Sequence, residues 1–443
     1  MTSTAHFSAT AGGPISAAPL RLPVEKSKGI GVWPAVLLFY AIIMPPELAF
    51  HIGSMLFTAY RAMLFLFVPW MVLTMVRRPF VPMLADIAVL TLVLWIPISL
   101  NHHYGLERAM VSGGAMAGDI ALSYLLGRLC FRSPNDLRDF LKLVAPGLVF
   151  AGLMMLTESV ASRYIFRPLV GRLTGLTAEI NELGSGIRDG KFRALGTFPH
   201  PILGGAFMAS CLPLYLAVRD MGRWKWVGVF ASFLGIFSFS SAALLGLILN
   251  LLMIGYDKIL RLIRGISWRS TSMAIFAFLA VVQIFSQGGV VSIIYRYLTF
   301  NPQTGWFRTQ TWIYAGADAL ASPWFGIGME SFHMPQWIGP GTSIDAYFLY
   351  LGVTFGIITG ILFFLLCVFS IVQLGIVASR ARYHSLRKFY AFLAIGMTTQ
   401  VLMMFTVTYW GSLLGWIFLL LGMAYSLVQA AKAAGSDTFK PLI

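Results

Sequence analysis

About twelve apolar runs of roughly 17–25 residues divide the chain, each the length a helix needs to cross a bilayer core. Their limits are 31–48, 53–76, 82–100, 108–130, 138–158, 198–218, 225–240, 241–257, 270–287, 345–373, 389–408 and 411–430. Inside a bilayer every backbone polar group must bond within its own segment, so this pattern predicts an all-α polytopic membrane protein. Composition agrees, with 58% hydrophobic residues and 11% charged; soluble domains average about 25% charged. Residues 1–30 read as a disordered cytoplasmic tail, 31–430 as one membrane domain and 431–443 as a second cytoplasmic tail. No cleavage motif follows the first run, which is read as an uncleaved span.

A net charge of +15, from 32 Lys and Arg against 17 Asp and Glu, raises the question of nucleic acid. The distribution answers it. Arg77-Arg78, then Arg128, Arg132, Arg138 and Lys142, then Arg219, Arg223 and Lys225 lie in alternate short connections. Lys258, Arg261, Arg264 and Arg269, then Arg380, Arg382, Arg387 and Lys388, continue the series. Charges dispersed in this way are topology signals that place both termini in the cytoplasm, and they exclude a nucleic-acid surface. Cys130, Cys211 and Cys367 are scattered through apolar runs and read as packing residues.

Two long outer loops, 159–197 and 288–344, break the pattern. The first carries Arg163, Arg167, Arg172, Arg188, Lys191 and Arg193 against Glu179, Glu182 and Asp189; the second carries Arg296 and Arg308. Positive charge on the translocated side runs against the orientation bias, and points to an anionic ligand at the outer surface.

The first loop ends in Arg193-Ala194-Leu195-Gly196-Thr197-Phe198-Pro199-His200-Pro201, where two prolines fix a His and Gly196 permits close approach. If the loops meet, Arg193 and Arg308 converge, and paired guanidiniums suit a phosphate or pyrophosphate. Snorkelling at headgroup depth is the plainer explanation of each Arg taken singly. Helical spacing over 306–321 puts Trp306, Ile313, Tyr314, Ala317 and Leu320 on one side and Arg308, Ala315 and Ala319 on the other, an interfacial helix. Gly352, Gly356 and Gly360 recur every fourth residue in the tenth run, as a closely packed membrane helix would have them. Asp345 stands before that run, beside Thr342 and Ser343 and after the Gly339-Pro340-Gly341 loop, either as its N-cap or as an acceptor for a hydroxyl proton. His200 and His333 compete for the second role. Arg61 lies inside the second run, where it is costly unless it faces a polar cavity or interface, and there it could line a lipid-phosphate site. No metal-ligand, nucleotide-binding or dinucleotide motif is present, so no metal or cofactor is expected and any donor must arrive already activated from the lipid.

Arg193-x-x-Gly196-x-x-x-His200-Pro201 with Gly204, Arg308-x-x-x-Trp312, Pro323-x-x-Gly326-x-Gly328-x-x-x-Phe332 and Asp345-x-Tyr347 ahead of Gly352 and Gly356 together resemble the O-antigen ligase and polymerase superfamily. The resemblance implies a metal-independent glycosyltransferase of the bacterial inner membrane, working on its periplasmic face. Donor and acceptor would be undecaprenyl-diphosphate-linked glycans, with membrane lipids around them and a chain-length regulator as an open partner. It also implies that Arg193 and Arg308 hold the diphosphate and that Trp312, Gly326, Gly328 and Tyr347 belong to the substrate loop. The ligases place a His where this chain has Asp345, which is closer to the exopolysaccharide, capsule and O-antigen polymerases. The family's central Ser-Arg-Gly is replaced by Ser240-Ser241-Ala242, so that Arg's phosphate contact is lost or supplied by Arg61 or Arg188. Transfer of finished glycan to lipid A core is the near alternative. A transporter or flippase is the alternative from another class, although beyond Asp86 and Asp119 the midplane has few charges of the kind transporters use.

Overall fold

The computed structural model describes residues 31–433 apart from 54, 79, 176–185, 189, 264–266, 287, 299–301 and 339–342. The N-terminal tail, Glu179, Glu182, Asp189, Arg264, the Gly339-Pro340-Gly341-Thr342 turn and the tail beyond 433 lie outside the described residues, as does the Arg296 side chain. The described chain is nearly all-α.

Helix α1 (Trp33–Ile42) stops short of the end of the first apolar run, because Pro45 and Pro46 offer no N–H to a helical ladder. The chain instead forms an antiparallel hairpin of β1 (Ala49–Ile52) and β2 (Met55–Thr58), so the second run opens as a strand before α2 (Ala59–Leu66) and α3 (Val68–Arg77). Next, α4 (Leu84–Arg108) and α5 (Gly114–Cys130) make a helical hairpin that turns at Gly105, whose φ of 78° suits glycine. A Ser133–Asp136 capping box starts α6 (Pro134–Ala161). The first long loop contains α7 (Phe166–Thr174) and a short hairpin, β3 (Ile187–Arg188) with β4 (Lys191–Phe192). Then come α8 (Pro201–Ala217), α9 (Arg223–Phe233), α10 (Ser241–Leu262) and α11 (Trp268–Phe285). The second long loop contains α12 (Gly289–Leu298) and α13 (Pro302–Ala321), and the described residues end with α14 (Tyr347–Phe355), α15 (Ile357–Arg380), α16 (His384–Met404) and α17 (Ser412–Ala433).

Among the described residues, seven helical stretches are long and apolar enough to cross a membrane: Ala59–Arg77, Leu84–Cys130, Pro134–Ala161, Ser241–Leu262, Trp268–Phe285, Ile357–Arg380 and Ser412–Ala433. The core centres on α17. Gly422 brings it so close to α5 that a Cβ there would lie 2.1 Å from the Tyr124 carbonyl oxygen. At the periphery α11 has no buried residue, and its apolar side chains face outward, as they can where the solvent is lipid.

Two acid–base pairs lie inside these helices. Asp119 accepts from Arg61 Nε and Nη2 at 3.0 and 2.7 Å and from the Tyr60 hydroxyl, while Asp86 accepts from Arg128 and the Tyr124 hydroxyl in the same way. All three cysteines are buried and free.

The tenth apolar run is two helices, not one. Gly356, at φ 101°, separates α14 from α15, and Gly360 then packs against α14, where a Cβ would meet the Phe348 carbonyl oxygen at 2.5 Å. The regular glycine spacing thus serves a break and fold-back. The break exposes backbone groups, and the Pro323–Gly328 turn satisfies them. Ile327 N donates to Val353 O, Gly328 N to Thr354 O, and Ile357 N to Pro323 O, at 2.7, 3.2 and 2.9 Å. Gly326 and Gly328 have φ of 66° and 72°, and a Cβ on Gly326 would strike Val353 O.

Helix α13 divides into the two faces that its sequence predicts. Trp306, Ile313, Ala317 and Leu320 are exposed, and Arg308, Ala315 and Ala319 are buried against the protein; Tyr314, expected on the exposed side, is instead half-buried against the cluster that holds Ala315 and Ala319. The apolar side is the outer one, as in a helix that lies against lipid.

Candidate anion-binding site

The two long loops meet over the start of α10. Ser240 caps this helix, its Oγ accepting from Ala242 N at 3.2 Å, and the N-terminus opens onto a solvent-open cavity. Arg188 of β3 and Arg308 of α13 both line it, with the hydroxyl-bearing Ser240, Ser241, Thr304 and Thr406. Arg188 Nη2 donates to Thr304 Oγ1 at 3.4 Å, which ties the first loop to α13 one turn before Arg308. A helix N-terminus carries partial positive charge and unbonded N–H groups, so it adds to the attraction two guanidiniums exert on an anion.

Arg193 is not among the residues that line the cavity. It sits behind Arg188, with its Nε and Nη2 buried and without hydrogen-bond partners. Burial, and secondarily the charge of Arg188, pull its guanidinium below the ordinary arginine range. An arginine in this condition stabilises any anion brought near it, because the desolvation cost is already met within the fold. Arg188 takes the place beside Arg308 that the sequence alone suggests for Arg193. Arg61 lies elsewhere, held by Asp119 and the Leu56 carbonyl.

What holds the 193–201 segment is a set of residues that the sequence reading does not single out. Glu158, fully buried near the end of α6, accepts four backbone N–H groups. Oε1 takes Ile165 and Phe166 at 2.9 and 3.2 Å, and Oε2 takes Leu195 and Gly196 at 3.0 and 2.8 Å. Arg167 forms a buried ion pair with Glu47 at 2.8 Å and donates to the Pro199 carbonyl at 3.0 Å. The available signal was a carboxylate inside an apolar run, true of both Glu47 and Glu158.

His200 caps α8. Its Nδ1 accepts from Ile202 N at 3.2 Å, so the neutral ring carries its proton on Nε2. A neutral imidazole with a protonated Nε2 is a donor at that atom and a poor proton acceptor. His333 is exposed and faces Asp318, which accepts from its backbone N at 2.7 Å.

Asp345 is not an N-cap: Ala346 holds that position of α14, and no side chain caps the helix. The Asp345 carboxylate instead accepts from Arg308 Nη2 at 3.3 Å, with 47% of its side chain exposed. Arg308 Nε is buried with no partner. Trp312 anchors α13 from below: its Nε1 donates to the Tyr295 hydroxyl at 2.6 Å, and its ring stacks on Phe405. Tyr347 is wholly buried, stacked against Tyr350 and Tyr409. Gly326 and Gly328 shape the turn against the α14–α15 break, so they act on the backbone that carries Asp345. Among the described residues, no three His, Cys, Asp or Glu side chains come together as metal ligands.

The chemistry available here is the binding of a multiply charged anion by two arginines, hydroxyls and a helix terminus, next to a half-exposed carboxylate. Neither a protein-family model nor a curated protein matches the chain.

Proposed function

We propose that the protein is a metal-independent glycosyltransferase of the bacterial inner membrane, which joins undecaprenyl-diphosphate-linked oligosaccharide repeats at the periplasmic face. The observation that carries this reading is that Arg188 and Arg308, from two different outer loops, line one cavity at the N-terminus of α10. The diphosphate of the growing lipid-linked chain occupies that cavity. A sugar hydroxyl of the next lipid-linked repeat attacks the anomeric carbon, forming the new glycosidic C–O bond while the bond to the diphosphate oxygen breaks. The electron pair leaves on the diphosphate, whose added charge Arg188 and Arg308 stabilise, with Arg193 behind them. The hydroxyl proton passes to the Asp345 carboxylate.

The 3.3 Å contact between Arg308 and Asp345 fits this sequence of events. Diphosphate competes for the Arg308 donors and leaves the carboxylate free to accept a proton. His200, its Nδ1 already used as a cap, is not the base. Orientation with both termini in the cytoplasm, and about twelve spans in all, belong to the same proposal and rest on the basic connections.

The test is the size profile of surface and lipid-linked glycan in a strain lacking the protein, complemented with wild type or with Asp345→Ala. Single repeats accumulating on the lipid, rescued by wild type and not by Asp345→Ala, are expected. Full-length glycan stranded on the carrier lipid would make the enzyme a ligase, and an unaltered profile would remove it from glycan assembly.

A further inference from the structure

A second concentration of charge lies at the other end of the same helices. Helices α8 and α10 run parallel, with Gly205 against Ala243 and Asn250 bonded to the Ala209 carbonyl. Helix α16 runs antiparallel to both, with Gly396 against Pro213 and Thr399 bonded to Asn250. The ends of α8 and α10 therefore meet the beginning of α16, at the end of α10 opposite the arginine cavity. Arg219 and Lys225, Lys258 and Arg261, and His384 and Lys388 come together there from three separate parts of the sequence.

Their partners are too few. Arg261 binds Asp257 through Nη2 and His384 Nε2 through Nη1, the latter at 3.1 Å, and its Nε is buried without a partner. Asp257 also accepts from Trp268 Nε1 at 3.1 Å, so its second oxygen is spent. Lys225 Nζ reaches only a carbonyl, that of Val218 at 3.1 Å, and the Lys388 ammonium lies over the Phe392 ring. Asp220 is the other carboxylate in the group. Partial burial and then the charges of Lys225, Arg261, Lys258 and Arg219 hold the Lys388 ammonium below the ordinary lysine range. The start of α16 adds to the positive field, since no side chain caps it and its first turn has no acidic residue. Topology requires basic residues in a connection, but it does not require them to converge from three connections onto one helix N-terminus.

We propose that this end of the bundle is a binding site for an anion bearing two or more phosphates, seated among Lys225, Lys258, Arg261 and Lys388 over the first turn of α16. A lipid headgroup with two phosphates in the adjacent leaflet and a soluble polyphosphate share this chemistry. The site is separate from the arginine cavity and does not depend on the enzymatic reading.

The experiment is native mass spectrometry of the full chain with cardiolipin or with tripolyphosphate as probe. Three proteins are compared: wild type, Lys225→Gln/Lys388→Gln, and Arg77→Gln/Arg78→Gln, which loses the same charge at another connection. Retention of cardiolipin at least tenfold lower in the Lys225/Lys388 variant alone identifies a lipid site. The same selective loss for tripolyphosphate, with cardiolipin unchanged, identifies a soluble ligand. Equal retention of both probes by all three proteins overturns the proposal and leaves these residues as orientation signals. A Lys388→Arg protein keeps the charge and must retain binding, and a thermal midpoint of the ligand-free Gln variant no lower than wild type excludes misfolding as the cause of loss.

Discussion

Replacing Glu158 with Gln tests how the arginines of the first long loop are held in place. The wild-type carboxylate accepts two N–H groups on each oxygen, all four of them backbone donors. An amide keeps one oxygen, and its NH2 group faces two donors it cannot accept. Two amides, Leu195 and Gly196 or Ile165 and Phe166, are then left buried and unsatisfied, at about 1–3 kcal/mol each. Taking about 2 kcal/mol as the smallest total, local opening of the affected segment becomes roughly 30-fold more frequent. Amide hydrogen exchange by mass spectrometry, on peptides covering 163–168 and 193–198, reads this directly. One of the two segments loses protection by that factor or more, while peptides from α17 exchange as in wild type. Unchanged exchange in both segments of a folded Glu158→Gln protein refutes the idea that this carboxylate holds the loop.

Other consequences follow from single residues. Gly356→Ala places a Cβ at φ 101° and within 1.9 Å of the Trp324 carbonyl oxygen, so folded protein recovered from membranes falls sharply, whereas Gly255→Ala, with open space around it, recovers like wild type. Asp119→Asn leaves the Arg61 guanidinium without its anion and costs about 3–5 kcal/mol, measured as a drop in thermal midpoint; adding Arg61→Gln to it restores part of the loss. Arg308→Lys retains charge but loses the planar fork, and lowers turnover of lipid-linked substrate by about 10²–10³-fold with little effect on folding.

The membrane character of the chain was legible because bilayer thickness imposes a run length that composition alone can satisfy. The two faces of α13 were legible for a related reason, since spacing assigns sides, although only the structure tells that the apolar side is the outer one. The breaks were harder to read. Gly352, Gly356 and Gly360 have the spacing of a helix-packing stripe, and nothing local marks Gly356 as the residue at φ 101°; its need arises from Trp324, some thirty residues earlier. The hairpin at 49–58 was hidden because its apolar residues continue the hydrophobic run on either side. At the site, the sequence drew attention to Arg308 and Asp345 by their position beside a loop, and the structure joins them. Arg188 in place of Arg193 beside the cavity depends on the register of a two-residue hairpin, which no spacing rule gives. Glu158 and Glu47 carried a signal, a carboxylate in an apolar stretch, but their partners are distant in sequence and backbone acceptors leave no motif.

Reconstituted protein supplied with undecaprenyl-diphosphate-linked repeats, with a chelator present, is the direct test of the proposed chemistry. Glycan products and released undecaprenyl diphosphate are measured together for wild type, Arg188→Gln, Arg308→Gln and Asp345→Asn. Wild type should lengthen the glycan and release one diphosphate lipid for every linkage formed, and each variant should do neither at more than about a hundredth of that rate. Wild-type rates in Arg188→Gln and Arg308→Gln, or no lengthening by wild type itself, would contradict the assignment of this cavity as the seat of glycan transfer.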